Sequence, residues 1–348
     1  MKVLVLTDCP SPYQVELFNE IEAQGNCELE VAYLRGHDPA RHWKSSEICH
    51  ASVELSNGGM SRARESVRRA DLVVFNYYLH ANAERLIDER ARLGGPWCFW
   101  GERPGAHQPV WVGWLVRKWK LAKLHASAAP IWGIGEFGVD GYKREFGTER
   151  EYFNLPYFSN LKRFETPERK EKRERVFLFS GSLIARKGVD LLASAFVRLD
   201  VANVRLRIVG DGPLRESLMQ KLAAVKERVE FVGFKDWHEL PGEYAAANVL
   251  CVPSRYDGWG LVVPEGLAAG LPVIATDRMG AALEFVRKGK NGWLIRAADE
   301  DALLTAMREA AVGALPKRTR ESVREHSLED GAERFVRYAT RCVASQEF

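Results

Sequence analysis

The sequence predicts an α/β protein built as two Rossmann-like domains with parallel sheets, and three observations predict it. Apolar runs of strand length alternate with amphipathic runs of helix length along most of the chain. At 348 residues the chain is too long for one ordinary compact domain and has ample core for two. A charged stretch at 160–175, NLKRFETPERKEKRER, splits the alternation into two halves and has the composition of an exposed linker.

Taken in order, the first half offers strands at 3–6, 29–33, 72–75, 97–100 and 131–134, with helices at 13–24, 81–93 and 111–125. The second half restarts with a strand at 176–179, a helix at 189–199, a strand at 205–209, a helix at 214–224 and a strand at 229–232. A short helix at 240–247 leads into strand 248–252, helix 261–270 and strand 272–275. The domains are expected at 1–165 and 166–326, with an amphipathic helix at 327–348 crossing back to the first domain. Two such sheets would face a central cleft, with ligand at the carboxyl ends of their strands.

Composition sets further bounds. A formal net charge of +3 neither demands nor excludes an acidic partner, and nucleic acid is not implied. The six cysteines are scattered without a CxxC pair, as reduced thiols of a cytoplasmic protein would be. The opening MKVLVLTD is too short for a signal peptide, and no run approaches a membrane span. The eight histidines lack metal-ligand spacing and no GxSxG or HExxH occurs, so a metal-independent reaction without a cofactor is expected.

The most constraining stretch is 251–276, CVPSRYDGWGLVVPEGLAAGLPVIAT. It reads as strand, glycine-bearing loop, helix and strand, with Pro264 in the first helical turn. The unpaired amides and positive dipole of such a helix start suit a phosphate, held by Gly258, Trp259, Gly260, Leu261 and Val262. Glu265, one turn in, and Asp257, on the loop, place two carboxylates where sugar hydroxyls beside that phosphate would lie. Upstream, GSLIARKG (181–188) follows the first strand of the second domain. Its Gly181 turn carries Arg186 and Lys187, adjacent cations suited to a diphosphate, against the plainer reading of a solvated basic turn. Gly210, in GDGP, ends the next strand, where backbone could approach a ligand or simply turn the chain, and Phe234, in VGF, ends the one after, where backbone could read a nucleobase edge or the residues could be core.

Neither sheet carries GxGxxG after its first strand, which weighs against a dinucleotide dehydrogenase. In that place the first domain has TDCPSPY, whose Ser11, Tyr13 and the following Gln14 could face a sugar or belong to a structural loop. WGERPGAH places Glu102, Arg103 and His107 after another strand, as part of an acceptor site or a surface ion pair. Residues 109–125, PVWVGWLVRKWKLAKLH, hold three tryptophans and four Lys or Arg and no acid. That pattern fits a helix lying on anionic lipid at the inner membrane face, and equally a helix packing an apolar stripe on the sheet with a basic outer face.

Together GSLIARKG, RIVGDGP, VEFVGF and the 251–276 stretch resemble the retaining GT-B glycosyltransferases of family four, in order and spacing across 176–294, and PSPYQVELFNEI is similar to the amino-terminal part of the same family. The resemblance implies the GT-B fold and a nucleoside-diphosphate sugar, UDP or GDP, held by the second domain. The acceptor, a saccharide or a lipid-linked saccharide, would be held by the first. It implies that Lys187 and Arg186 bind the diphosphate, that Glu265 accepts ribose hydroxyls and that Asp257 faces the transferred sugar. Three positions depart from the family: Asp257 stands where Glu is usual, Ser182 where many members have Arg, and Glu102 where many have His. The expected activity is therefore a retaining hexosyl transfer. A glycoside hydrolase using Asp257 and Glu265, or a non-catalytic nucleotide-sugar-binding protein, are the alternatives.

Overall fold

Each half of the chain folds around its own parallel sheet. In the computed structural model, residues 1–38, 46–76, 80–104, 110–165 and 174–345 are described, with side chains from 113 onward in the fourth of these segments. The chain divides into Met1–Ser159 with Leu328–Phe348, and Asn160–Ser327.

The first unit contains strands β1 (Lys2–Thr7), β2 (Glu28–Tyr33), β3 (Ala51–Glu54), β4 (Leu72–Phe75), β5 (Trp97–Gly101), β6 (Ile131–Gly133) and β7 (Tyr152–Asn154). Its helices are α1 (Pro12–Gln24), α2 (Met60–Arg69), α3 (Ala81–Arg92), α4 (Val110–Lys120), α5 (Ala122–His125) and α6 (Gly135–Phe146). The second unit holds β8 (Arg175–Ser180), β9 (Val204–Val209), β10 (Val229–Gly233), β11 (Val249–Val252), β12 (Val273–Thr276) and β13 (Gly292–Ile295). Its helices are α7 (Val189–Val197), α8 (Arg215–Lys221), α9 (Leu240–Ala246), α10 (Val262–Ala268), α11 (Gly280–Phe285) and α12 (Glu300–Val312), and α13 (Leu328–Ala344) returns to the first unit.

The strand orders are β3-β2-β1-β4-β5-β6-β7 and β10-β9-β8-β11-β12-β13, with every pairing parallel. Both are doubly wound, so each sheet has a point where strand order reverses: between β1 and β4, and between β8 and β11. The strands there are fully buried runs, LVVF and VLCV, as sheets covered on both faces require. Not among the elements read from the sequence are β3 and β7, edge strands of 4 and 3 residues too short to show a period, and also the longer helices α2, α6 and α12 of 10, 12 and 13 residues.

The unit division falls before the boundary expected at 165, because Leu161 and Phe164 are buried in the second unit, with Phe164 edge-on to Tyr244 at 5.1 Å. Helix α13 buries Gly331, Ala332, Phe335, Ala339 and Cys342. Phe335 meets Trp132 at 5.3 Å, and the Trp132 indole donates to Cys342 Sγ at 3.4 Å.

Candidate functional site

In the second unit, the loops after β8 and β11 meet at the reversal point of the sheet. Gly188, with φ of 69°, lies so close to the other loop that a Cβ there would stand 2.0 Å from the Pro253 carbonyl oxygen. Only glycine accepts both that backbone conformation and that contact. The Arg255 amide donates to the Arg186 carbonyl at 2.8 Å, and the Arg255 guanidinium grips Asp190 of α7 with two bonds of 2.7 and 2.6 Å. This bidentate pair lowers the pKa of the Asp190 carboxyl and locks the two loops together.

That lock presents the ionic cluster. Lys187 Nζ bonds Asp257 Oδ2 at 2.5 Å, and Arg186 Nη1 lies 3.8 Å from Asp257 Oδ1 while donating to the Tyr256 carbonyl at 3.1 Å. Asp257 is in turn fixed by its backbone, its amide donating to Arg278 at 3.0 Å in a bridge to Met279. The Lys187 side chain is 20% exposed and the Arg186 side chain 47%, so two cations stand open to an anion arriving from solvent.

Glu265 lies on the first turn of α10, partly exposed, and accepts from the Tyr244 hydroxyl at 3.1 Å. Tyr244 is fully buried, and burial together with the Glu265 charge pushes its pKa well above the ordinary value. It therefore remains a phenol that donates, and it fixes one carboxylate oxygen of Glu265. The Trp259 indole is buried against Phe285 and His326, each at 5.7 Å, and Gly258 is buried with it, whereas Gly260, Leu261 and Val262 are partly exposed. Gly210, with φ of 126°, is required by loop packing: a Cβ there would come within 2.0 Å of the Gly181 carbonyl oxygen. Phe234 is half exposed at the end of β10.

The first unit arranges its edge differently. Ser11 and Gln14 are buried, with Ser11 Oγ donating to Gln14 Oε1 at 2.8 Å and Gln14 Nε2 to Asn76 Oδ1 at 2.8 Å. Thr7 Oγ1 donates to Asn76 Oδ1 at 2.9 Å, and Asn76 Nδ2 to the Trp100 carbonyl at 2.9 Å. These groups tie the ends of β1, β4 and β5 to α1, which is the structural-loop reading of Ser11 and Gln14. Tyr13 is half-buried on Tyr157, ring centres 4.7 Å apart, with its hydroxyl pKa pushed up to about 12 by burial and the nearby Glu102 carboxylate. Glu102 is exposed, whereas Arg103 lies over the Phe137 ring at 4.2 Å. His107 lies outside the described residues.

Sequence reasoning thus singled out Lys187, Arg186, Asp257 and Glu265, and missed Tyr244, Arg255 and Asp190. Tyr244 sits in a helix of 7 residues, too short to show a period. Arg255 and Asp190 are 65 residues apart, and nothing local marks them as partners.

Two doubly wound parallel sheets, of 7 and 6 strands among the described residues, give the chain the GT-B fold. Residues 162–326 match the family model of glycosyl transferases group 1. A curated relative, a GDP-mannose-dependent alpha-(1-6)-phosphatidylinositol monomannoside mannosyltransferase of Mycolicibacterium smegmatis, is 31% identical over 58% of this chain and 58% of its own length. The Arabidopsis thaliana sulfoquinovosyl transferase is 29% identical over 70% of this chain and 50% of its own. The chain thus spans less than two thirds of the length of these relatives. Among solved structures, an Anabaena protein in complex with UDP superposes with a TM-score of 0.76 at 15% identity, covering 98% of this chain and 100% of that one, a likeness of fold.

Proposed function

We propose that this protein is a retaining glycosyltransferase that moves a hexose-type sugar from a nucleoside-diphosphate sugar to a saccharide or lipid-linked acceptor on the cytoplasmic side of the membrane, without a metal ion. The observation that carries the reading is the Lys187–Asp257–Arg186 cluster held between two locked loops, beside Glu265. Family relatives and structural neighbours that use GDP-mannose or hold UDP support the donor class and leave UDP and GDP both open.

In this scheme Lys187 and Arg186 bind the diphosphate, and the backbone amides at the start of α10 receive a phosphate oxygen. Glu265, oriented by Tyr244, accepts the ribose hydroxyls, and Asp257 turns to the hydroxyls of the sugar. The bond from the anomeric carbon to the phosphate oxygen breaks as the acceptor oxygen bonds the same face of that carbon. The departing phosphate oxygen takes the acceptor's proton, and its charge is met by the two cations. Glu102 and Tyr13 are the acceptor-side groups of this reading. A hydrolase would need Asp257 to act on a glycosidic bond, but its oxygens already engage Lys187 and Arg186, which that chemistry does not use.

The test is to incubate the protein with UDP-, GDP- and ADP-sugars in excess chelator and read the anomeric configuration of the product by NMR. The expected outcome is transfer or slow donor hydrolysis with retention. Inversion, or dependence on an added divalent metal, contradicts the mechanism, and release of sugar from nitrophenyl glycosides without nucleotide supports the hydrolase instead.

A further inference from the structure

Helix α4 packs on its unit with the face that the sequence would least suggest. The buried side holds Gly113, followed by Leu121 and Leu124 beyond the helix end, and between them the Arg117 guanidinium, bonded to Glu145 at 2.9 Å. The opposite side carries the large apolar groups: Trp114 is 46% exposed, Leu115 52% and Trp119 76%. Trp114 with Lys118 and Leu115 with Trp119 are pairs at i,i+4, so the four side chains form two adjacent rows on one face. The alternative in which the helix lays its tryptophans on the sheet is therefore excluded for Trp114 and Trp119. Trp111 falls outside the described side chains.

Charge follows the same division. Of the four cations in this stretch, Arg117 faces inward to Glu145, and Lys123 pairs with Asp88 on α3. Lys118 lies beside the exposed indole of Trp114, its Nζ 5.0 Å from the ring centre, and Lys120 is its neighbour two residues on. No carboxylate occurs anywhere in residues 109–125. Indoles with a polar N–H, a leucine and ammonium groups that pair with no carboxylate among the described residues, on one exposed helix face, form the chemistry that partitions into a headgroup layer rich in phosphate. A protein partner would more commonly be met by an apolar face with a charge-depleted centre.

We infer that the outward face of α4, formed by Trp114, Leu115, Lys118 and Trp119 with Lys120 at its flank, docks this unit on the surface of an anionic bilayer. The inference goes beyond the transferase reading and does not depend on it, because docking requires no donor and no turnover.

The test is flotation of the full chain with vesicles of phosphatidylcholine alone and of phosphatidylcholine with phosphatidylglycerol at about 7:3, at about 0.1 M and 0.5 M salt. The wild type is expected to float with the anionic vesicles at low salt and to be released at high salt. Lys118→Glu with Lys120→Glu should lower the partition coefficient by at least about tenfold, since each cation near such a surface contributes about fivefold. Trp114→Ser with Trp119→Ser should lower it at least as far at both salt concentrations. All four positions lie on the helix surface, and an unchanged melting temperature establishes that each variant is folded. A wild type that stays unbound with every vesicle, or variants that float like the wild type, would overturn the inference. So would a Trp119-dependent doubling of mass in solution without vesicle binding, which would assign the face to a second copy of the chain.

Discussion

The two sheets reverse their strand order at equivalent places, between β1 and β4 and between β8 and β11, and fill those places in opposite ways. In the first unit Thr7, Ser11, Gln14 and Asn76 are neutral and bonded to one another, and the buried His50 is likewise held between Asn19 Oδ1 at 2.7 Å and the Tyr33 hydroxyl at 2.9 Å. In the second, Arg186, Lys187 and Asp257 are ionic, with Asp257 buried and the two cations reaching solvent. A neutral network that satisfies itself contributes stability and a single loop conformation. An ionic cluster left open can exchange its internal partners for those of a ligand. Equivalent topology therefore positions two sites, and side-chain chemistry decides which of them is already built to receive an anion.

The comparison breaks most visibly in acid. Burial pushes the His50 pKa down to about 4 from 6.5. The unfolded chain takes up this proton near its ordinary value, while the folded one resists until about 4, so the contribution is complete above that upper value and is lost as pH falls between the two. At about 1.4 kcal/mol per pH unit over this window the loss is about 3.5 kcal/mol. Urea midpoints of the first unit should fall across this window, and His50→Gln should flatten the slope.

Smaller effects separate function from scaffold. Glu265→Ala should weaken donor binding by about 10- to 100-fold, the worth of one or two hydrogen bonds to a charged acceptor, with little change in melting temperature. Gln14→Ala should do the reverse, costing about 1 kcal/mol of stability with donor affinity unchanged. If Gln14→Ala weakened donor binding as strongly as Glu265→Ala, the contrast between the two edges would fail.

The same contrast explains how much was legible in the sequence. Long apolar runs such as LVLT and VLCV, and the glycine-bearing loops after β8 and β11, mark parallel strands and the turns that follow them, so the α/β class and the residues Lys187, Arg186, Asp257 and Glu265 were readable. What binds them was not. Arg255 finds Asp190, and Tyr244 finds Glu265, only once the sheet brings distant segments together. In the first unit Ser11 and Gln14 have the residue types of a sugar site, and sequence gives no means of telling that Asn76, 62 residues beyond Gln14, already occupies them. Helix α4 was ambiguous for a different reason: its composition is amphipathic in either orientation, and packing around the Arg117–Glu145 pair selects the one with tryptophans outward.

The central claim is that the Lys187–Asp257 pair marks a diphosphate site in which the carboxylate is the cation's internal partner until a ligand takes its place. Calorimetric titration of UDP and GDP, in chelator, into the wild type, Lys187→Ala and Asp257→Asn tests it in one measurement. The account predicts one-to-one binding to the wild type, loss of about 100-fold or more in Lys187→Ala, and binding at least as tight as wild type in Asp257→Asn, whose transfer activity is nonetheless lost. No heat with either nucleotide, or equal affinity in the wild type and Lys187→Ala, would contradict it.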